Sequence, residues 1–245
     1  MVLIKLESSY SLHMSSVQSF SGTWPLFSIA GIRVYIHWSW VLVAIFQINR
    51  RSGNYPNIAW DIAEYLGLFV IVLMHEFGHA LATRQTGGTA DRILLWPFGG
   101  IAFVQTPQRA SAYLWAIAAG PLVNVVLWPV LFALHTVVGI TSPLGVFIQH
   151  LLWLNGILLI FNLIPAYPLD GGQLLRGLLW IKLGPTKSLW IAAWVGLVLG
   201  VALIALALIW LQSVWIALIV GLMTLQSWST IQQLRAFRRE NGGRF

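Results

Sequence analysis

The sequence contains no cysteine, and only seven of its 245 residues are acidic. Without cysteine the chain can form no disulfide bond and offers no thiolate to a metal, so any zinc has to be held by histidine and carboxylate side chains. Charged residues make up 9% of the chain, whereas soluble domains average about 25%. This shortage of charge excludes an ordinary soluble enzyme.

Hydrophobic residues occupy 58% of the sequence, and its fourteen tryptophans are typical of proteins whose helices end at membrane interfaces. A membrane-spanning helix needs about 20 apolar residues. We therefore predict an all-α polytopic membrane protein with about six transmembrane helices. The predicted spans cover residues 34–48, 58–83, 111–138, a fourth segment that starts near 146 and is interrupted at 162–172, then 188–211 and 214–234.

The basic residues indicate how these spans lie in the membrane. With the amino terminus in the cytoplasm, twelve of the fourteen lysines and arginines fall on the cytoplasmic side, which agrees with the positive-inside rule. We therefore expect a multi-pass protein of the cell membrane with both termini in the cytoplasm. Because the basic residues follow the loops and do not cluster on a soluble face, we expect no nucleic-acid partner.

This organisation divides the chain into three segments. Residues 1–30 are rich in serine and lack the unbroken apolar core of a signal peptide, so we predict a mobile N-terminal leader. Residues 31–235 form the predicted transmembrane domain, with its core at 58–183. Residues 236–245 form a basic cytoplasmic tail.

The second predicted span carries the sequence His75-Glu76-Phe77-Gly78-His79. Histidines four residues apart lie on one face of an α-helix and can direct both imidazoles at one metal ion. The glutamate between them is free to accept a proton from a water molecule that attacks a peptide carbonyl. Ionisable side chains are costly inside a bilayer, so these residues indicate a function. We predict one Zn²⁺ ion, with Glu76 as the catalytic base.

A catalytic zinc takes three protein ligands, so the two histidines need a third partner. Asp61 and Glu64 precede the motif by at least eleven residues, about 16 Å along a helix, and are too distant. We expect these two acids to be solvated or paired with arginine near the outer surface. Asp91 is interfacial and stays possible. The sequence favours Asp170. The predicted order of the spans puts it at the same depth in the membrane as His79, in a segment whose prolines and glycines interrupt the helix.

Residues 92–105 are too few to cross a membrane and too apolar for a loop in water. We predict a re-entrant β-hairpin that turns at residues 97–100 and enters the membrane beside the metal, on its cytoplasmic side. The edge of such a hairpin can pair with an unwound strand of a substrate. Ile101, Ala102 and Phe103 are therefore candidate substrate-binding residues.

Two more stretches interrupt or crowd the predicted helices. Residues 162–172 contain two prolines and two glycines that break the fourth span, and such backbone is tolerated at membrane depth only in protein or beside a wet cavity. Asn162, at its start, is a candidate catalytic residue that can bind a substrate backbone or an oxyanion. Asn162 is equally well explained as a hydrogen-bond donor to the backbone carbonyls that the helix break leaves unpaired.

We interpret Gly120 and Asn124 mainly as helix-packing residues.

Taken together, these stretches resemble the site-2 protease family of intramembrane zinc metalloproteases. The resemblance covers about residues 58–183 and rests on the motif at 75–79, on Ala-Gly-Pro-Leu-Val-Asn at 119–124, and on 162–172 with its Pro-Leu-Asp-Gly-Gly end. It implies one zinc held by the two histidines and Asp170, a glutamate base, and regulated cleavage of transmembrane substrates such as anti-sigma factors or membrane-tethered regulators.

Residues 31–39 also resemble the start of the first span in the six-span branch of that family. Many members of this branch carry a cytoplasmic nucleotide-sensing module after the last span, and we expect this chain to lack it.

Two other classes of protein compete with a protease. An ion or proton transporter also places acids and histidines on broken helices, but it is expected to show inverted repeats and charges spread over several helices, which this sequence does not show. A non-proteolytic zinc-binding membrane protein is expected to have lost the motif glutamate, whereas Glu76 is present.

Overall fold

A computed structural model describes residues 22–51, 55–96 and 99–240 of the chain. Helices dominate, and a small sheet lies among them. In chain order the elements are β1 (Thr23–Ile29), β2 (Ile32–His37), α1 (Ser39–Arg51), α2 (Ile58–Gln85), β3 (Thr89–Trp96), β4 (Gly99–Gln105), α3 (Ala110–Val138), α4 (Pro143–Leu163), α5 (Asp170–Ile209) and α6 (Val214–Glu240).

Five of these helices, α2 to α6, are long and apolar enough to cross a membrane. Large apolar side chains stay exposed on their outer faces, including Val137, Ile157 and Ile160 at 84%, 60% and 70% exposure. Such faces suit contact with lipid and not with water. The chain is thus an integral multi-pass membrane protein, and the predicted helical membrane architecture is confirmed.

Helix α1 differs from the predicted first span. The prediction began a helix at residue 34, but residues 32–37 form strand β2, and α1 begins only at Ser39 and is 13 residues long. The physical reason is visible in β2, where Ile32 and Val34 are β-branched and fully buried against the rest of the sheet.

The four strands form one sheet in the order β1-β2-β3-β4. The pairing of β2 with β3 is parallel, and the outer two pairings are antiparallel. β3 and β4 are the predicted hairpin, whose turn residues 97 and 98 lie outside the described residues. β1 was not predicted, because Thr23–Ile29 falls in the segment interpreted as a leader. That interpretation now applies only to residues before Gly22, which lie outside the described part of the chain.

Helix α2 packs against this sheet and joins it to the membrane core. Ile32, Val34, Ile93 and Leu95 from the two central strands are fully buried, in one cluster with Val72 and Ala80 of α2. At the end of the helix, the Arg84 guanidinium donates to the backbone oxygens of Ala90 and Gly31. The hairpin is therefore held against the helix that carries the histidine motif.

The predicted break after the fourth span is present. α4 ends at Leu163 and α5 begins at Asp170, so the chain leaves helical geometry between them. α5 itself kinks at Gly184, which has a φ of 78° and is followed by Pro185. A positive φ is strained for residues with a side chain, so glycine suits this position. The first part of α5 packs against α3, where Gly177 meets Leu114, and the second part packs against α6, where Gly200 meets Thr224.

Candidate metal centre

The two motif histidines lie one turn apart on the buried face of α2. Their Nε2 atoms are 3.1 Å apart, and both side chains are more than nine-tenths buried. The rings are nearly perpendicular, with an interplanar angle of 83°. As the helical spacing predicts, the two nitrogens point to one place.

Asp170, the first residue of α5, brings the third ligand atom to the same place. Its Oδ2 atom lies 3.0 Å from Nε2 of His75 and 3.4 Å from Nε2 of His79. The next residue must be glycine, because a Cβ on Gly171 would lie 2.3 Å from the carbonyl oxygen of Leu163. The Asp-Gly-Gly sequence thus allows the start of α5 to fold tightly back on the end of α4.

The donor set fits zinc. The three ligand atoms lie within 4.8 Å of one another, and they are two imidazole nitrogens and a carboxylate oxygen. Zinc binds such atoms tetrahedrally at about 2.0–2.1 Å, which separates them by roughly 3.3 Å, close to the distances observed. Space for the group comes from α3, where a Cβ on Gly120 would lie 2.3 Å from Nε2 of His79 and 2.9 Å from Nε2 of His75.

The outer nitrogen of each histidine has a partner on α3. Nδ1 of His79 lies 2.8 Å from the carbonyl oxygen of Ala116, and Nδ1 of His75 lies 2.6 Å from Oδ1 of Asn124. Ligating histidines need such partners to fix their ring orientation. Gly120 does serve close packing, as interpreted, but Asn124 touches a candidate ligand. Its neighbour Asn155 on α4 was missed by sequence reasoning, because it lies outside every motif that the sequence shows.

Glu76 faces the hairpin. Its Oε2 atom accepts a hydrogen bond of 3.1 Å from the amide of Ala102 on β4. The hairpin comes so close that a Cβ on Gly100 would lie 2.1 Å from Cγ of Glu76. One oxygen of the Glu76 carboxylate is therefore bound to strand β4, and the residue lines the same cavity as the three candidate ligands.

Strand β4 ends the sheet among the described residues. Because the Ala102 amide donates to Glu76 and not to β3, alternation along the strand directs the amides of Gly100 and Val104 to the same free edge. The amides of Ile101 and Phe103 then face β3. Of the three residues predicted to contact substrate, Ala102 is the one whose backbone lies on the free edge.

A cavity of about 200 Å³ connects these groups. Its lining includes the two histidines, Glu76 and Asp170, residues 100–102 of the hairpin, and Asn162 from the end of α4. Helix α6 closes it with Ile219, Leu222, Met223 and Gln226. The cavity thus joins the candidate ligands, base and hairpin edge in one space, and Asn162 shares it.

Asp91, the alternative third ligand, lies elsewhere. It occupies the irregular point of the β3–β4 pairing, where the register shifts between Ala90 and Arg92. Its side chain is 55% exposed and pairs with the guanidinium of Arg92 at 3.3 Å. The group that brings histidines and a carboxylate together among the described residues contains Asp170 and not Asp91.

Several known proteins are similar to this chain. The family model described as peptidase family M50 matches residues 63–145 and 139–206. A zinc metalloprotease of Methanocaldococcus jannaschii is 34% identical over 184 residues, covering 75% of this chain and 53% of that protein. Rip3 of Mycobacterium tuberculosis is 34% identical over 201 residues, covering 75% and 51%. The chain spans about half the length of these curated relatives.

A solved structure shares the architecture. The site-2 protease from Methanocaldococcus jannaschii superimposes with a TM-score of 0.62 at 29% sequence identity, covering 85% of this chain and 95% of that one.

Proposed function

The chain belongs to peptidase family M50, and from this we propose that it is an intramembrane zinc metalloprotease that hydrolyses peptide bonds within or near the transmembrane helices of other membrane proteins. The observation that carries the proposal is the meeting of His75, His79 and Asp170 beside Glu76 on a membrane-spanning helix. This arrangement combines a zinc donor set with an adjacent base.

The chemistry divides between the metal and the chain. Zinc supplies a Lewis acid that polarises a carbonyl and makes a water molecule more acidic. Glu76 accepts the proton of the attacking water and delivers it to the leaving amine. Its hydrogen bond to the Ala102 amide keeps the carboxylate in the cavity at the position where this transfer is needed. Asn162, on another wall of the cavity, hydrogen-bonds the substrate backbone or the developing oxyanion.

The hairpin docks the substrate. A helical peptide bond hides its carbonyl in a hydrogen bond, so a transmembrane substrate must unwind locally before cleavage. The free edge of β4 offers backbone donors and acceptors to the unwound segment, with Ala102 at the centre of that edge beside Glu76. Side chains contribute little to such pairing, so residues that unwind easily, such as glycine and proline, are favoured near the cleaved bond.

The substrate class follows from the position of the site. The positive-inside distribution of lysine and arginine supports cytoplasmic termini and a site near the cytoplasmic face of the cell membrane. Cleavage there releases the cytoplasmic part of a membrane-tethered protein, such as an anti-sigma factor or another membrane-bound regulator. We therefore assign the protein to regulated intramembrane proteolysis.

The test uses a panel of tagged single-span proteins, expressed with the wild-type protein or with Glu76→Gln. Glutamine keeps the size of the side chain and one acceptor oxygen for the Ala102 amide, but it cannot act as a base. We expect Glu76→Gln to bind zinc as the wild type does and to lower cleavage by roughly 10²- to 10⁴-fold. Retained cleavage would show that Glu76 is not the base. A wild type that binds zinc and cleaves no member of the panel counts against proteolysis.

A further inference from the structure

Two fully buried asparagines join the candidate zinc site to helix α4, which carries none of its ligands. Asn124 on α3 and Asn155 on α4 both have 0% exposure. Nδ2 of Asn155 donates to the backbone oxygen of Asn124 at 2.9 Å, and Nδ2 of Asn124 donates to Oδ1 of Asn155 at 2.8 Å. Oδ1 of Asn124 then meets Nδ1 of His75 at 2.6 Å. The three residues form a continuous relay.

The backbone oxygen of Asn124 determines which group donates and which accepts in every hydrogen bond of this relay. The backbone oxygen of Asn124 can only accept, so the amide of Asn155 must turn its NH₂ group to it. Oδ1 of Asn155 is then the atom that faces Asn124, and Asn124 must present its own NH₂ group in return. This leaves Oδ1 of Asn124 toward the ring, so Nδ1 of His75 carries the hydrogen.

The consequence for His75 is a defined tautomer. With the hydrogen on Nδ1, Nε2 keeps a lone pair directed at the place where the ligand atoms of His79 and Asp170 meet. The opposite tautomer would put a hydrogen there and remove one ligand. His79 needs no relay, because its Nδ1 atom contacts a backbone oxygen, that of Ala116, directly. His75 has a side-chain amide as its partner, and an amide can turn either way.

We propose that Asn155 is a positioning residue, which acts through Asn124 to hold His75 in its metal-binding tautomer and so raises the affinity for zinc. The proposal rests on the zinc site of the proposed function but not on proteolysis. Its rival is a purely structural role, in which the asparagine pair only fastens α3 to α4. The two roles make different predictions for zinc binding.

The first experiment needs no variant. Full-length wild-type protein with ¹⁵N-labelled histidine is prepared free of metal, and the nitrogen shifts of His75 are assigned by comparison with His75→Gln. We expect the hydrogen on Nδ1. A hydrogen on Nε2 of His75 would overturn the proposal. Because this measurement requires neither zinc nor substrate, it decides the relay even if the wild type were to bind no zinc, which would refute the proposed function instead.

The second experiment is a double-mutant cycle with zinc affinity as the readout, measured by competition with a chelating dye. Asn155→Leu keeps the volume but frees the Asn124 amide to turn its NH₂ group toward His75. We expect zinc affinity to fall about 10- to 100-fold, the usual effect of losing an outer partner of a ligand. Asn124→Asp presents only oxygens to His75, so it fixes the tautomer without help. In that background Asn155→Leu should change zinc affinity less than threefold.

Ser188→Ala is the matched control. Ser188 is also fully buried, and its hydroxyl donates to the Pro185 oxygen far along the chain from the relay. It should leave zinc affinity unchanged, and thermal unfolding of the metal-free variants reports any general loss of packing. An equal loss of zinc affinity on Asn155→Leu in both backgrounds, or no loss in the Asn124-containing protein, would overturn the proposal and leave the structural role.

Discussion

Helix α2 carries a histidine–carboxylate group at each of two positions, and only one of them resembles a metal site. Near its C-terminal end, Nε2 of His75 and of His79 meets Oδ2 of Asp170. Nearer its beginning, eleven residues before His75, Oε2 of Glu64 meets the Tyr55 hydroxyl at 2.8 Å and Nδ1 of His150 at 2.7 Å. Both carboxylates are buried and both join α2 to distant parts of the chain, although His150 is partly exposed.

The difference lies in the balance of hydrogen-bond donors and acceptors. At the Glu64 group, a hydroxyl and an imidazole surround one carboxylate oxygen, and they can supply it with hydrogens. At the metal centre, the outer nitrogen of each imidazole faces an oxygen, which leaves lone pairs on both inner nitrogens beside a carboxylate. Three acceptors that converge need a cation. The hydroxyl donor in one group, and the oxygens that face the outer ring nitrogens in the other, therefore separate a structural hydrogen-bond cluster from a metal site.

The largest effect on zinc binding and cleavage is expected at Asp170, the third of the three converging ligands. Asp170→Ala removes one of three ligands, so the purified protein should lose most of its zinc and all measurable cleavage. Elemental analysis of protein prepared in zinc-containing buffer checks the stoichiometry. Asp91→Ala is the control, since its carboxylate is mostly exposed and pairs with Arg92. Zinc retained in Asp170→Ala but lost in Asp91→Ala would show that the third ligand is Asp91.

A smaller effect is expected at the hairpin edge beside the metal centre. Val104→Pro removes an amide that faces the free edge and not β3, and proline is tolerated at such positions. Losing one docking hydrogen bond should lower cleavage roughly two- to tenfold and leave zinc in place. Cleavage rates and zinc content are measured on the same preparation.

Val104→Ala is the control variant, because it also removes the branched valine side chain but keeps the backbone amide. Ile101→Pro and Phe103→Pro remove amides that face β3, so they should disturb the hairpin itself. If Val104→Pro and Val104→Ala cleave equally well, the hairpin does not bind substrate as a strand. If Val104→Pro loses zinc, the hairpin is a structural plug.

The smallest effect on function is expected at the Glu64 group. Glu64→Leu removes the oxygen shared by Tyr55 and His150, which should lower the free energy of unfolding by about 1–3 kcal/mol. Zinc content and cleavage should stay within twofold of wild type, since the metal centre is about 16 Å farther along the helix. Denaturant unfolding and elemental analysis test this. Loss of zinc in Glu64→Leu would mean that the two groups are coupled through α2.

Some sequence predictions were wrong in an informative way. Asp61 and Glu64 were expected to be solvated or paired with Arg50 or Arg51; both are buried, so neither is solvated, and Glu64 bonds Tyr55 and His150. The side chains of Arg50 and Arg51 lie outside the described part of the structure. The partner His150 lies 86 residues away in the chain. No local sequence pattern predicts such a pair, because hydropathy and helical spacing depend only on residues that are close in the sequence.

The sequence by itself determined the parts of this protein that depend on local spacing. The i, i+4 histidines, the glutamate between them, the breaks at 162–172 and the long apolar helices follow from helix geometry and from the cost of charge in a membrane. The shortage of acids also made Asp170 the favoured third ligand. Each of these features depends on a short segment, so it can be predicted without knowing how the rest of the chain packs.

Tertiary structure decided the rest. The parallel pairing of β2 with β3 joins residues more than fifty positions apart, and the strand at Thr23–Ile29 pairs in turn with β2. The meeting of Glu76 with Ala102, and the relay from Asn155 through Asn124 to His75, depend on which buried groups become neighbours when α2, α3, α4 and the hairpin pack. A buried polar group needs a hydrogen-bond partner, and which residue becomes that partner depends on how distant segments pack and not on the neighbouring sequence.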